Sequence, residues 1–379
     1  SVAILARMEL LGGRSVAAFL RAHWHAQALL VTAAMPRFEG PVTRERLFAL
    51  AGRDDVDSRI VQRARGRYAL YEGPFSRARL HGMPSRGWTL LVQGVNLHDE
   101  AADRLLRRFA FIPYARLDDL MASYAAPGGG VGPHYDSYDV FLLQGYGRRR
   151  WRYGRQRDLA LRPDAPVKLL ARFSPQHEAT LAPGDMLYLP PDYAHDGVAV
   201  DECITYSIGF RAPAYQALAE AFLDHLRDAV HVEGRYADPH LRPTKNPARI
   251  DATMRRQVAR SLAAIRWNAD EVARFLGRHL TEPKPDVVFT PRPALSRTRF
   301  AQRIGRDGVR LDPRSQLLYD AVRYYVNGYD APLSAVDREA LQSLADRRML
   351  DADACRALAP AMIDLLHDWH RDGFLATGG

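Results

Sequence analysis

The stretch from Leu120 to His195 restricts this chain more than any other, because strand-like runs and tight turns alternate there with metal-type ligands at both ends. It reads LMASYAAPGGGVGPHYDSYDVFLLQGYGRRRWRY and, after a loop, ATLAPGDMLYLPPDYAH. His134 and Asp136 are two apart, so on extended backbone their side chains leave the same face. Pro183, Gly184 and Asp185 make a turn, and Met186 to Leu189 is an apolar strand. The Pro190-Pro191 break then delivers His195 just beyond it. A His-x-Asp pair alone carries little weight. Joined to the PGD-strand-PP half, at a separation suited to crossing a β-barrel, it describes one ion held by two imidazoles and one carboxylate. That facial set leaves the opposite positions open for a co-substrate and dioxygen, as in non-haem Fe(II) oxygenases. A closed zinc site needs a fourth protein ligand, and none stands out.

Asp139 to Gly145 and Arg148 to Tyr153 read as the two strands of a hairpin around Gly145-Tyr146-Gly147. In the second run Arg149, Trp151 and Tyr153 share one face, and Arg148, Arg150 and Arg152 the other. Three arginines belong in water, so Trp151 points inward and takes Arg149 with it. A buried guanidinium without an anion is costly. Two partners are open: the distal carboxylate of 2-oxoglutarate, which suits a planar two-pronged donor, or an internal salt bridge to Asp136 or Asp185. Ser123, ahead of the PGGGVGP turn, either adds a hydroxyl to that acid or is simply a satisfied strand hydroxyl.

The strings SYAAPGGGVGPHYDSYDVFLLQGYGRRRWRYG, LAPGDMLYLPPDYAHDGVA and TYSIGFRAP, with the earlier DVDSRIV and WTLLVQGVNLH, closely resemble the bacterial Jumonji-C ribosomal oxygenases. Within that group the likeness is greatest to the hydroxylases of an arginine in large-subunit ribosomal protein sixteen. It is dense from about Leu29 to Pro213 and collinear to the end. The resemblance implies that His134, Asp136 and His195 are the iron ligands and the catalytic centre. It makes Arg149 and Ser123 contacts of 2-oxoglutarate, with Thr205 standing near the co-substrate where the family tends to have asparagine. Asp119, Met121, Tyr138 and Ser207 match substrate-pocket positions. Tyr138 and Met121 can sandwich an aliphatic stem while Asp119 faces a guanidinium; without the resemblance Met121 reads as core. The implied cofactors are Fe(II), with 2-oxoglutarate and O2 as co-substrates. The implied reaction is hydroxylation of an arginine of a large-subunit ribosomal protein. Histidine hydroxylation is the alternative within the fold. From a different class, the alternative is a winged-helix binding protein whose barrel senses a metal without catalysis.

With 379 residues the chain is too long for one ordinary core. The expected class is mainly β plus α. A Jumonji-C double-stranded β-helix, or jelly roll, occupies 1–213 with helices packed outside. A helical region, 214–281, follows, in which Asp251 caps a helix with Met254, Val258, Leu262 and Ile265 on one stripe. Asn268 and Glu271 there resemble a capping box. Such a stripe needs a cover, and a homodimer is expected, in agreement with the resemblance. A proline-rich linker leads into a winged-helix-like module, 282–379. It is read as strands around Gly305 to Leu311 and Leu317 to Val326, then helices over Leu333 to Arg348 and Ala352 to Arg371. The net charge of +9 is dispersed along the chain, so direct nucleic-acid binding is not expected. No run reaches membrane-span length and the start SVAILARMELLGG lacks a secretory pattern, so a cytoplasmic location is expected. Cys203 and Cys355 read as small buried hydrophobes, without a CxxC pair.

Overall fold

The apolar runs between Leu29 and Phe210 form strands β1 (Leu29–Val31), β2 (Ser58–Ala64), β3 (Arg67–Glu72), β4 (Trp88–Val92), β5 (Leu117–Ala125), β6 (Val140–Tyr146), β7 (Arg149–Arg155), β8 (His177–Leu181), β9 (Met186–Leu189), β10 (Tyr193–Ala199) and β11 (Cys203–Phe210). The structure, a computed structural model, describes residues 8–378; the opening SVAILAR, on which the expected lack of a secretory pattern partly rests, lies outside them. The strands pair into an eight-stranded sheet, ordered β1-β9-β6-β11-β5-β4-β2-β3, and a three-stranded sheet, β10-β7-β8. This is the expected double-stranded β-helix.

Strand β6 is buried on both faces, which is why it reads VFLL rather than alternating. Phe141 turns outward and meets the rings of Phe19, Phe109, Tyr188 and Phe210. Val140 and Leu142 turn inward and pack with Trp151 and Leu187. The outer layer comes from short helices that start where a capping side chain takes an orphan N–H. Ser15 accepts from Ala18 ahead of Val16–Ala22, Thr43 from Arg46 ahead of Arg44–Ala51, and Asp99 from Ala101 and Ala102 ahead of Glu100–Arg107. Cys203 and Cys355 are both buried and free.

Several expectations are corrected. The runs on either side of Gly147 are not a hairpin: β6 pairs with β9 and β11, whereas β7 pairs with β8 and β10. Gly147 therefore carries the chain from one sheet to the other. Its φ of +58° is left-handed, and a Cβ there would lie 1.9 Å from the Glu202 carbonyl oxygen. Arg152 is half-buried rather than solvated, because its guanidinium donates at 2.6 Å to the buried Asp196. Trp88 to Leu97 reads as one strand in sequence, but the strand stops at Val92 and Val95–Leu97 is a 3-10 turn. His195 sits inside β10 rather than just past β9.

By packing the chain divides into two units, Ser1–Ala212 with Pro283–Ser315 and Ala335–Gly379, and Pro213–Glu282 with Gln316–Ser334. In the second, helices Tyr215–Ala229, Ala252–Leu262 and Ala269–Thr281 accompany the meander Leu317–Tyr319, Arg323–Val326 and Tyr329–Pro332. Asn268 caps the third helix by accepting from Glu271 N–H, but the Glu271 carboxylate pairs with His225 at 2.6 Å instead of closing a capping box. In the first unit, Arg297–Asp307 is a helix, capped by Ser296 and burying Phe300 and Ile304 on one face, so of the strands expected around Gly305 to Leu311 the part at Val309–Leu311 forms. Val309–Leu311 lies between Met349–Leu350 and Leu375–Thr377. The helix expected from Leu333 begins only at Arg338. That from Ala352 breaks into Ala352–Arg356 and Pro360–Arg371, since Pro360 suits a first helical turn and not an interior. Among the described residues no helix is long and apolar enough to cross a membrane.

Gly147→Ala is expected to destabilise the protein by about 2 kcal/mol or more, read as a lower urea midpoint at unchanged slope. An unchanged midpoint would contradict the sheet-switching role of this glycine.

Candidate functional site

Period-two alternation lays Asp119, Met121 and Ser123 of β5 on the inner face of the large sheet. Ser207 pairs with Met121 across to β11, and Val140 and Leu142 of β6 continue that face. Arg149 and Trp151 of β7 and His195 of β10 face them from the small sheet. Between the sheets lies a cavity of about 490 Å³, which these side chains line together with His134, Asp136 and Tyr138.

The glycine-rich turn after β5 brings His134 to this cavity. Gly128 donates to Ala199 at 2.8 Å and Ala199 to Gly129 at 2.9 Å, so the turn runs along β10. A Cβ on Gly130 would lie 2.4 Å from the Gly197 carbonyl, which explains why a bare backbone is needed there. His134 is then fastened to His195 by reciprocal main-chain hydrogen bonds of 2.9 and 2.8 Å. It forms an isolated bridge rather than the strand residue expected, and Asp136 lies two residues on in irregular chain.

One ligand atom from each of His134, Asp136 and His195 lies within 4.8 Å of the others, and His195 Nε2 is 3.7 Å from Asp136 Oδ2. Each Nδ1 is 2.9 Å from a carbonyl two residues back, that of Gly132 for His134 and of Tyr193 for His195. A carbonyl can only accept, so both Nδ1 atoms carry the proton. Both Nε2 lone pairs are thereby left for a metal. Burial, and then the neighbouring His134, push the His195 imidazole well below its usual pKa, which favours the neutral form that binds metals. The donor set fits a divalent ion with its remaining positions open.

Arg149 is 4% exposed. Its Nη1 donates to Ser123 Oγ at 3.1 Å, while Nε and Nη2 are buried without a hydrogen-bond partner. The internal salt bridge is not formed: both Asp185 carboxylate oxygens accept main-chain N–H groups, from Ala33 and Ala182. Asp136 makes its close contact with His195 instead. Two guanidinium nitrogens left without partners beside a metal-type triad fit a bidentate acid. Ser123 is itself oriented by donating to the Thr205 carbonyl at 3.4 Å.

Thr205 is the exception among the expected site residues. It is fully buried, its hydroxyl donates to Gln144 at 2.9 Å, and it does not line the cavity. Met121 and Ser207 line the cavity half-buried, and Tyr138 is exposed at 38%. Asp119 is buried, with Oδ2 accepting from Gln93 Nε2 at 2.8 Å, Gly94 N–H at 3.1 Å and Lys284 Nζ at 3.5 Å. Burial raises its pKa, and the Lys284 ammonium opposes that rise. Lys284 also reaches Asp118 at 3.2 Å. Gln93 and Lys284 were not among the expected site residues; a lysine in a proline-rich linker offers no local signal that it returns to the barrel.

Residues 104–218 match the family model of the JmjC domain, and residues 264–376 that of the ROXA-like winged helix. The chain is 33% identical to the ribosomal protein uL16 3-hydroxylase of Escherichia coli (strain K12) over 72% of its own length and 73% of that relative. The solved structure of the Escherichia coli ribosomal oxygenase YcfD in complex with cobalt and 2-oxoglutarate superposes with a TM-score of 0.81 at 29% identity. That match covers 96% of this chain and 98% of the other. A further YcfD structure from Escherichia coli gives a TM-score of 0.83 over the same share of each chain.

Titration with Co(II), followed by its visible absorption, is expected to saturate at one ion per chain. His134→Ala should weaken binding by at least the roughly 100-fold that outer-shell changes reach; equal affinity in that variant would remove the triad from the site.

Proposed function

Because the chain belongs to the JmjC ribosomal oxygenases, we propose that it is an Fe(II)- and 2-oxoglutarate-dependent hydroxylase acting on an arginine side chain of a large-subunit ribosomal protein. One observation carries this reading: a single cavity holds the His134, Asp136 and His195 donors, an inward Arg149 with unanswered N–H groups, and a buried carboxylate at Asp119. Bound iron with 2-oxoglutarate and O2 supplies an oxidant that converts a substrate C–H to C–OH, with succinate and carbon dioxide as co-products.

His134, Asp136 and His195 hold the ion from one side. Arg149, with Ser123, anchors the distal carboxylate and so fixes which way the acid lies. Thr205 acts from behind, through the carbonyl that orients Ser123, and not on the acid directly. Asp119 receives the substrate guanidinium; its three contacts all fall on Oδ2. Met121 and Tyr138 flank the aliphatic stem and Ser207 lines the floor. These residues hold one carbon near the ion and keep the rest of the side chain from moving, which is the protein's main contribution to rate.

The homodimer belongs to the same proposal. Helix Ala252–Leu262 buries none of its residues within the chain, and Met254, Val258 and Leu262 stand exposed on one stripe. An apolar stripe of this kind is covered in solution by a second copy, which makes 214–281 the dimerisation region between a catalytic 1–213 and a winged-helix-like 282–379. A ribosomal substrate and two free cysteines agree with a cytoplasmic location.

In cells lacking the chain, mass spectrometry of large-subunit ribosomal proteins is expected to find one arginine lighter by one oxygen atom. An arginine unchanged, with a histidine altered instead, would overturn the substrate assignment. Arg149→Ala should raise KM for 2-oxoglutarate by about 30-fold or more, from the roughly 2–5 kcal/mol that loss of a buried charge pair costs. Sedimentation at micromolar concentration is expected to give twice the 42.6 kDa chain mass, falling to the monomer in Val258→Asp.

A further inference from the structure

A second cavity, of about 320 Å³, is lined by helix Glu100–Arg107, strand Val309–Leu311 and the Arg347–Met349 segment, all within the first unit. Six arginines line it against three carboxylates, a formal excess of three positive charges (6 − 3). Every acid is already shared. Glu100 pairs with Arg310 at 2.6 Å and Arg104 at 3.9 Å, Asp103 with Arg107 at 2.9 Å and Arg348 at 3.8 Å. Asp312 pairs with Arg292 at 3.4 Å and with Arg314 at 2.7 Å. Arg347 has no carboxylate within ion-pair distance among the described residues.

The excess is not merely a solvated face. Arg348 is 8% exposed, at a left-handed φ of +62°, and its Nη2 is used up on the carbonyls of Asp312 at 2.8 Å and Ser315 at 3.0 Å. Burial, followed by the charge of Arg107, pushes its pKa down to about 10, as expected where cations outnumber their partners. Arg348 Nε and Arg292 Nε are buried without a hydrogen-bond partner, whereas Arg107 Nη2 is held by Asp103 at 2.9 Å. Two orphaned guanidinium nitrogens, from two separate segments, thus belong to the lining of one concave site. Orphans of this kind are rare unless something absent answers them.

We propose that this cavity binds a dianionic phosphate group, either inorganic phosphate or the terminal phosphate of a monoester. A tetrahedral oxyanion offers acceptors in several directions at once, so guanidinium groups from separate segments can each meet one of its edges, which a planar carboxylate does not allow. The site is a pocket rather than a stripe, so it takes a compact group and does not follow a polymer backbone. It shares no residue with the cavity that holds Arg149.

The test is calorimetric titration of the full-length chain with inorganic phosphate in chloride buffer at constant ionic strength. Saturable binding is expected, weakened at least five-fold in Arg347→Gln and Arg104→Gln, whose side chains are exposed and whose loss leaves the fold intact. Arg149→Ala should bind phosphate as the unaltered chain does, which separates this site from the first. Adenosine 5′-monophosphate should compete and adenosine should not. An RNA oligonucleotide should compete only when it carries a terminal phosphate. The proposal is overturned by no binding beyond chloride, by unchanged affinity in both arginine variants, by loss of binding in Arg149→Ala, or by equal competition from unphosphorylated RNA.

Discussion

Two main-chain hydrogen bonds between His134 and His195 are the fastening on which the candidate site depends. They join a loop that follows β5 to the middle of β10, and so bring together segments that are remote in sequence. Residues directly opposed in this way present their side chains within a few ångströms of one another, and the two imidazole rings lie 4.2 Å apart between centroids. The approach is possible because the preceding glycines leave room for the Gly197 carbonyl. The same two-residue spacing that points the rings together also puts a carbonyl against each Nδ1. Geometry and tautomer are therefore set by one local arrangement.

Arg149 is the second constraint, and an electrostatic one. In a low-dielectric interior a guanidinium with one nitrogen satisfied and two unanswered is unfavourable by itself. The rest of the barrel holds it there: β7 is pinned on both edges, and Trp151, next on the same face, packs into the apolar cluster beneath. The cavity is charged at both ends, with this cation on the small sheet and Asp119 on the large one. Lys284 tempers Asp119 without reaching the triad. A bidentate acid and a cationic substrate complement the two ends, which makes the charge pattern a statement about ligands rather than about stability.

The two units differ in how their elements are stabilised. In the barrel, β9 is buried throughout and β6 from Val140 to Gly145, so register and orientation are over-determined. In the helical unit, capping at Asp251 and Asn268 fixes where helices begin, but Ala252–Leu262 finds no cover among the described residues. Isolated helices of that length are marginal in water. Their persistence depends on burying the Met254, Val258 and Leu262 stripe against something, and the homodimer proposed above would cover it with an identical stripe.

Much of the site was legible in local pattern. The two-residue spacing of His134 and Asp136, the PGD turn before β9, and the alternation that turns Arg149 inward are short-range properties. So are the caps at Ser15, Thr43, Asp99 and Asn268, and backbone stereochemistry alone makes all of them readable. What the tertiary structure alone decided was pairing. Whether the runs around Gly147 face each other or part into different sheets depends on which distant strands compete for their edges. Arg152 is half-buried because Asp196 approaches from β10, Thr205 is withdrawn because Gln144 takes its hydroxyl, and Lys284 reaches Asp119 from a linker. Each of these outcomes rests on a partner far away in the chain, and a hydrogen bond or ion pair across such a separation leaves no periodicity in sequence to read.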